Sequence, residues 1–205
     1  MKVTIFNGSP RKKGNTATMT GHLAEYLRSE GADTKEHFLY HMNIKGCMNC
    51  GACREDGSGQ QTGEAAGSGS VCRVGEGLRE CAIKDDAIGL MMDFWESDLV
   101  IFASPIYMWH LTASLNAFIE RLHSLCRYDG PVVNLMEGKK IAIAMTMGDD
   151  EYVAADAVNS LLLFCDYFKI EYKGAFAVPF ADPEQIERPL YQEKMRDFVK
   201  KITKA

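Results

Sequence analysis

The chain has 205 residues, of which 46% are hydrophobic, and its formal net charge is −5. This length and hydrophobic content predict a single domain with one large core, covering residues 1–205. The acidic balance and the lack of a long basic run argue against a nucleic acid partner. No apolar run approaches the ~18 residues of a membrane span, and the N-terminus lacks a signal peptide pattern, so we expect a cytoplasmic protein with no membrane partner.

The first predicted loop has the composition of a phosphate-binding loop. It follows a β-branched and aromatic run at 2–6 and precedes a helical pattern at 16–28. A strand that turns through small residues into a helix aims backbone N–H groups and the positive end of the helix dipole at one point. The side chains that could add hydrogen bonds or charge there are Ser9, Arg11, Asn15 and Thr16. Asn15 is also expected to cap the helix, and an ordinary capped turn would have the same composition.

This loop lacks the motifs of the common nucleotide sites. Neither the G-x-x-x-x-G-K-[ST] pattern of nucleoside triphosphate loops nor the G-x-G-x-x-G pattern of dinucleotide folds is present in it. A single monoester phosphate is therefore the better candidate ligand.

The rest of the chain alternates predicted strands with predicted helices. Strands are predicted at 34–40, 98–103, 140–146 and 170–178, and helices at 85–95, 112–126, 152–168 and 190–202. The runs at 98–103 and 140–146 are almost continuously apolar, which is typical of a parallel sheet covered on both faces. The pattern predicts a three-layer α/β fold of the flavodoxin-like type, with a doubly wound five-stranded parallel sheet of order 2-1-3-4-5. A long insertion rich in Cys and Gly, residues 46–84, follows strand 2.

Loops at the carboxyl ends of such strands form the ligand site of these sheets. Three predicted loops meet there, at 9–16, 104–109 and 146–149. The second offers a proline-stiffened backbone with the flat side chains Tyr107 and Trp109, and the third offers Gly148 with its neighbouring N–H groups. A phosphate at one end and a flat heterocycle at the other predict FMN. Taken singly, Tyr107 and Trp109 would be read as packing residues, and Asp149 as a solvated loop charge or a helix cap.

Several short motifs resemble one known family. The chain resembles the NAD(P)H-dependent FMN reductases of the flavodoxin-like superfamily in its motifs GSPR (8–11), GNT (14–16) and SPIY (104–107). It resembles the iron–sulfur flavoprotein branch of that family in GCMNCGAC (46–53) and CAIKDD (81–86). The resemblance covers nearly the whole chain except residues 54–80. It implies an FMN-binding domain, in a homodimer or homotetramer, with the flavin near a subunit interface.

The resemblance also assigns site residues. By matching positions, Ser9, Arg11, Asn15 and Thr16 would hold the phosphate, and Pro105, Ile106 and Tyr107 the isoalloxazine ring. Together with the three predicted loops, the candidate cofactor-binding residues are Ser9, Arg11, Asn15, Thr16, Ser104, Pro105, Ile106, Tyr107, Met108, Trp109, Thr146, Gly148 and Asp149. No side chain is predicted to be catalytic, because the flavin carries the chemistry.

The seven cysteines favour metal binding or redox chemistry over a disulfide framework. Cys47, Cys50 and Cys53 have the C-x2-C-x2-C spacing that wraps one metal centre from a loop. In members of the family with a full cysteine set, a [4Fe–4S] cluster lies close to the flavin. Zinc and plain reduced thiols are the alternatives.

The fourth ligand is less defined than the first three. Cys81 matches by the Asp-Asp pair that follows it, and Cys72 is the other candidate. Iron–sulfur flavoproteins place this cysteine only a few residues after the third, so the insertion here departs from their pattern. Two further cysteines, Cys126 and Cys165, lie in helical patterns among Leu and Phe and are predicted to be core residues.

The resemblance implies an enzyme, an FMN-dependent oxidoreductase. It would pass electrons from NADH, NADPH or a ferredoxin-like donor to a flavin, a quinone or another small acceptor. The alternative is an FMN-binding electron carrier or redox sensor that does not turn over NAD(P)H. A third hypothesis is a zinc-stabilised scaffold whose long loop binds a partner.

Overall fold

A computed structural model describes residues 1–53, 81–127 and 133–204. Its strands are β1 (Lys2–Asn7), β2 (Asp33–Phe38), β3 (Leu99–Pro105), β4 (Cys126–Arg127), β5 (Val133–Asn134), β6 (Lys140–Thr146) and β7 (Glu171–Val178). Five of them form one sheet of order β2-β1-β3-β6-β7, in which every neighbouring pair is parallel. Counting only these five strands, the order is 2-1-3-4-5, and the predicted flavodoxin-like fold is confirmed.

The helices cover both faces of this sheet. They are α1 (Asn15–Ser29), α2 (Ala87–Glu96), α3 (Ala113–Arg121), α4 (Ala155–Tyr167), α5 (Pro183–Glu187) and α6 (Pro189–Thr203). Alternate residues of a strand point to opposite faces, so the central strands β1, β3 and β6 contribute to two cores. Phe6 and Phe102 pack with α2, α3 and α4 in one core, whereas Ile5 and Ile101 pack with α1 and α6 in the other.

Several element boundaries differ from the predicted ones. The predicted helix at 112–126 is α-helical only to Arg121 and ends in a 3-10 turn, Leu122–Leu125, before β4 begins at Cys126. The predicted helix at 152–168 likewise begins with a 3-10 turn, Glu151–Ala154. Such turns commonly tighten the ends of α-helices. The predicted strand at 34–40 ends at Phe38, and the antiparallel pair of β4 and β5 was not predicted.

Part of the predicted insertion falls outside this description. Residues 54–80 lie outside the described residues, and with them the candidate ligand Cys72. The predicted core positions Cys126 and Cys165 are each 2% exposed and belong to the core that contains Phe6. None of the helices within 1–53, 81–127 and 133–204 has the length and apolar character needed to cross a bilayer.

Candidate functional site

The register of the sheet brings the predicted ligand loops to one edge. Asn7 at the end of β1 pairs with Ala103, and Pro105 at the end of β3 pairs with Thr146 at the end of β6. The three loops that follow these strands enclose a cavity of about 200 Å³. Its lining residues are Ser9, Arg11, Gly14, Asn15, Thr16, Pro105, Ile106, Tyr107, Thr146, Met147, Gly148 and Ala181.

The first loop presents free backbone donors to this cavity. Gly14 is the N-cap of α1, and no side chain caps the helix there. The N–H groups of the first helical turn are therefore available to an anion, and the helix dipole favours negative charge at this end. Arg11 adds a cation at the wall, and its Cβ would lie only 2.9 Å from a Cβ placed on Gly14. This part of the cavity fits a phosphate group.

The expected cap at Asn15 is wrong. Asn15 is the first helical residue, and its Nδ2 donates a hydrogen bond of 2.6 Å to the carbonyl oxygen of Ala181. The side chain is therefore occupied in fastening the loop after β7 to the start of α1. The N-cap position belongs to Gly14, which has no side chain, so the helix N–H groups stay open towards the cavity.

A polar network behind the first loop fixes its first residues. The side-chain oxygen of Asn7 accepts a hydrogen bond of 2.8 Å from the N–H of Ser9. The Asn7 amide in turn donates to Glu36 Oε1 at 2.9 Å, and Thr20 Oγ1 donates to the same oxygen at 2.7 Å. Asn7 and Thr20 are fully buried, so this network ties the loop to β2 and α1 in a site shielded from water.

The loop after β3 provides the flat end of the cavity. Pro105, Ile106 and Tyr107 line it, and the Ile106 N–H donates to the Thr146 carbonyl at 2.8 Å. Tyr107 and His110 exchange two backbone hydrogen bonds of 3.0 Å, which close a two-residue turn at Met108 and Trp109. Both turn residues have positive φ, 49° and 67°, a conformation that favours Asn or Gly.

Four predicted site residues lie outside the lining: Ser104, Met108, Trp109 and Asp149. Met108 and Trp109 are 76% and 52% exposed, because the tight turn carries them beyond the cavity rim. Ser104 is buried, and its Oγ donates to the Pro105 carbonyl and accepts from the Thr112 N–H, so it joins the loop to α3. Asp149 uses its carboxylate to accept from the N–H of Asp150.

Three lining residues were not among the candidate residues: Gly14 and Met147, which lie within the predicted loops 9–16 and 146–149, and Ala181, which lies outside them. Gly14 belongs to the GNT motif, so its place in a loop that faces a phosphate was a usable signal. Met147 follows directly on the predicted β6. Ala181 follows β7, and the rule that ligands bind at the carboxyl ends of strands could have included that loop as well.

A second, small cavity contains cysteines from two separate segments. Cys47, Cys50, Cys53 and Cys81 all line it, together with Arg121 at its wall. Cys81 is buried, whereas Cys47 is exposed. Within the residues that the structure describes, no three Cys, His, Asp or Glu side chains are arranged to hold a metal ion. The side-chain types fit a thiolate-ligated centre, and the four predicted cysteines share one cavity.

The surroundings of Cys53 disfavour its thiolate form. Burial raises the pKa of Cys53, and the neighbouring Cys81, Cys47 and Cys50 raise it further. A metal centre binds cysteines as thiolates, so its positive charge would compensate for this cost.

The end of α3 holds both cysteine segments in place. The buried guanidinium of Arg121 donates to the carbonyl oxygens of Lys45 and Ile83, each at 3.1 Å. Glu120 Oε2 accepts a hydrogen bond of 3.1 Å from the N–H of Cys47. Residues 120 and 121 therefore fasten one segment just before Cys47 and the other just after Cys81.

Asp85 is the counter-ion of Arg121. Its Oδ2 lies 2.7 Å from Arg121 Nη1, and both side chains are fully buried. Burial alone would raise the pKa of Asp85, but the hydrogen bond from Arg121 and that from the Lys45 N–H outweigh it, so the pKa is lowered. Burial alone would lower the pKa of Arg121, but the hydrogen bond to Asp85 and the nearby Cys81 outweigh it, so the pKa is raised. Both groups are therefore ionised at neutral pH.

Comparison with known protein families decides the classification. Residues 1–182 match the family model described as NADPH-dependent FMN reductase. The chain belongs to this family. Members of the family are flavin-dependent oxidoreductases, and the prediction of an oxidoreductase is confirmed.

Several relatives in sequence bear the name of the predicted branch. An iron–sulfur flavoprotein of Archaeoglobus fulgidus is 28% identical over 87% of this chain and 70% of its own length. An iron–sulfur flavoprotein of Methanosarcina thermophila is 27% identical over 72% of this chain and 63% of its own length. The predicted family and branch are confirmed, while the properties of those longer proteins remain proposals for this chain.

The similarity in structure supports the fold. A NAD(P)H:quinone oxidoreductase from Methanothermobacter marburgensis superimposes with a TM-score of 0.68, covering 100% of this chain and 97% of that one. The two sequences are 14% identical. The similarity therefore establishes the shared flavodoxin-like architecture and nothing finer.

Proposed function

We propose that this protein transfers electrons from NADH or NADPH, through bound FMN, to a small acceptor such as a quinone or a free flavin. The observation that carries the proposal is the cavity at the carboxyl edge of the sheet, which joins an uncapped helix N-terminus to a proline turn. An anion fits the first end and a flat ring fits the second. The family model supplies the cofactor and the donor class.

The residues divide into two groups by what they would hold. Ser9, Arg11 and Thr16 would bind the FMN phosphate with the N–H groups that follow Gly14, and Asn15 would hold the loop through Ala181. Pro105, Ile106, Tyr107 and Gly148 would contact the ring, whose polar edge would face the backbone at Thr146 to Gly148. FMN, when bound, supplies the hydride and electron transfer chemistry. The residues themselves bind and orient the cofactor and exclude water from its phosphate.

We also propose that Cys47, Cys50, Cys53 and Cys81 hold a [4Fe–4S] cluster that exchanges electrons with the flavin. Support comes from the shared cavity of these four side chains and from the names of the sequence relatives. With such a cluster, a ferredoxin-like protein is a further candidate donor. Cys47, Cys50, Cys53 and Cys81 are not joined in disulfide bonds, which fits a reducing compartment such as the cytoplasm.

We further propose a homodimer or homotetramer, in which another subunit approaches the flavin. Exposed Met108 and Trp109, just beyond the cavity rim, support this arrangement. Exposed apolar side chains beside a ligand cavity are typical of a contact surface.

The proposed function is tested by purifying the protein without oxygen. The visible spectrum, flavin, iron and sulfide are measured on one sample, followed by steady-state oxidation of NADH and NADPH with a quinone. We expect flavin absorbance, about four irons per chain and sustained turnover. Bound flavin that is reduced once without turnover would indicate a carrier or sensor instead. A protein that fails to bind FMN would contradict the whole proposal.

A further inference from the structure

Arg121 places a buried, charged guanidinium beside the cysteine cavity. The side chain is fully buried, lines the cavity and forms an ion pair with Asp85 across 2.7 Å. Asp85 also accepts hydrogen bonds from the N–H groups of Lys45 and Ala87, at 2.9 and 3.1 Å. The pair is thus neutral as a unit and is anchored to both cysteine segments.

One N–H donor of this guanidinium makes no hydrogen bond within the described residues. Two of its nitrogens bond to Asp85, Lys45 and Ile83, but the buried Nε–H has no hydrogen-bond partner among the residues that the structure describes. A buried donor without a partner is costly, and a cation is costlier still. A negatively charged hydrogen-bond acceptor in the adjoining cavity would remove that cost.

We propose that Arg121 is the positioning residue of the cysteine site, and that its charge and free Nε–H stabilise an anionic, thiolate-ligated metal–sulfur centre. This inference rests on the proposed function, in which the four cysteines hold such a centre. A cluster with four thiolate ligands carries net negative charge, and one-electron reduction adds another negative charge. A buried cation and a hydrogen bond to sulfur both favour the reduced form, and so raise the reduction potential.

The ion pair makes the electrostatic effect separable from a structural one. Arg121→Met removes a positive charge and leaves Asp85 as an uncompensated anion, whereas Asp85→Asn leaves Arg121 as an uncompensated cation. The two changes therefore alter the local charge with opposite signs, although both break the same contact. Arg121→Lys keeps the charge but loses the planar set of donors.

The experiment compares these three variants with the wild type and with Arg28→Met. Arg28 is an exposed residue in the last turn of α1 and lines neither cavity, so its variant is a matched control. Each protein is prepared without oxygen and supplied with iron and sulfide. Iron, sulfide and FMN contents are measured, and the cluster potential is determined by titration with a chemical reductant followed by electron paramagnetic resonance.

We expect Arg121→Met to lower the cluster potential and Asp85→Asn to raise it. Each shift should be about 59 mV or more, which is a tenfold change in the ratio of reduced to oxidised cluster at a fixed potential. Arg121→Lys should lie between the wild type and Arg121→Met. The FMN content and the Arg28→Met potential should stay at the wild-type values. If Arg121→Met takes up no iron, the other two variants test the proposal. The cluster potential should then be lower in Arg121→Lys and higher in Asp85→Asn than in the wild type.

Equal potentials in all variants, or shifts of the same sign in Arg121→Met and Asp85→Asn, would overturn the role of Arg121. A cluster in the wild type would then leave the proposed function standing. A wild type that binds FMN but takes up no iron would overturn the cluster and this inference together.

Discussion

The hydroxyl groups of Thr16 and Thr146 lie 2.7 Å apart and share a hydrogen bond. Thr16 stands in the first turn of α1 and Thr146 at the end of β6, and both are nearly fully buried. The bond therefore couples the phosphate end of the cavity to the loop beside its flat end. This contact therefore helps to set the separation between the two ends of the proposed FMN site.

Replacing Thr16 with Val is expected to weaken FMN binding. Valine keeps the shape of threonine but leaves the buried Thr146 hydroxyl without this partner, at a cost of about 1 kcal/mol or more. We expect a fivefold to tenfold higher Kd for FMN, measured by fluorescence titration of the apoprotein. Thr18→Val, on the same helix but outside the cavity, is the control. An unchanged Kd in Thr16→Val would show that the contact does not set the geometry of the site.

Gly8 is predicted to tolerate no side chain. A Cβ placed there would lie 2.1 Å from Thr112 Oγ1 and 3.0 Å from Leu115 Cβ, so the first loop and the start of α3 would have to separate. We expect Gly8→Ala to lower the free energy of unfolding by about 1–3 kcal/mol and to weaken FMN binding as well. Urea unfolding and FMN titration measure the two effects.

Gly21→Ala is the matched control for this substitution. Gly21 lies inside α1, and nothing comes within 4 Å of a Cβ placed on it. Alanine should stabilise the helix there by about 0.5–1 kcal/mol. Equal effects of the two substitutions would contradict the close packing at Gly8.

His37 is expected to make stability depend on pH. Burial lowers the pKa of His37, and the hydrogen bond to Asp93 offsets this only in part. Its folded pKa therefore lies below the unfolded value of about 6.5, and the unfolded chain binds the proton more readily. Stability should fall as the pH drops from about 6.5 through the folded pKa of His37.

The dependence of stability on pH is measured by urea unfolding between about pH 5 and pH 8. This range spans about 1.5 units on each side of the unfolded pKa of histidine, about 6.5. His37→Gln should flatten the curve, whereas His41→Gln, at an exposed position, should leave it unchanged. A wild-type curve that is already flat across this range would contradict the assignment.

The turn at Met108 and Trp109 is expected to lower the stability of the fold while serving turnover or assembly. Two large apolar residues with positive φ cost about 1–3 kcal/mol each, and strain of this kind persists mainly at functional sites. The double substitution Met108→Asn with Trp109→Gly supplies the residues that this turn favours, so the thermal unfolding midpoint should rise. We expect either slower steady-state oxidation of NAD(P)H or a smaller oligomer, the latter measured by sedimentation. A more stable variant with full turnover and unchanged assembly would show that neither depends on these side chains.

The sequence predicted those features that depend on local pattern. The apolar runs of β3 and β6 and the helical periodicity of α1 were sufficient for the sheet order and for the convergence of three loops. Contacts between distant segments were not predictable in this way. Asn15 is a good capping residue, and only the folded chain places the Ala181 carbonyl within its reach. Arg121 is a charged residue near the end of an amphipathic pattern, where a solvent-exposed position would be expected. The turn at Met108 and Trp109 contains neither Gly nor Asn to signal it.

Helix α3 connects the two cavities. Near its start, Thr112 adjoins Gly8 and donates its N–H to the Ser104 hydroxyl oxygen, and at its end Arg121 holds the cysteine segments. From Thr112 to Arg121 the helix rises by roughly 13 Å, which sets a fixed spacing between the flavin and cluster sites proposed here. In the proposed function, α3 would therefore help to set the distance over which electrons pass. Because both sites are fastened to this one helix, a substitution that tilts α3 would change the distance between them, and the rate of electron transfer in the proposed function would change with that distance.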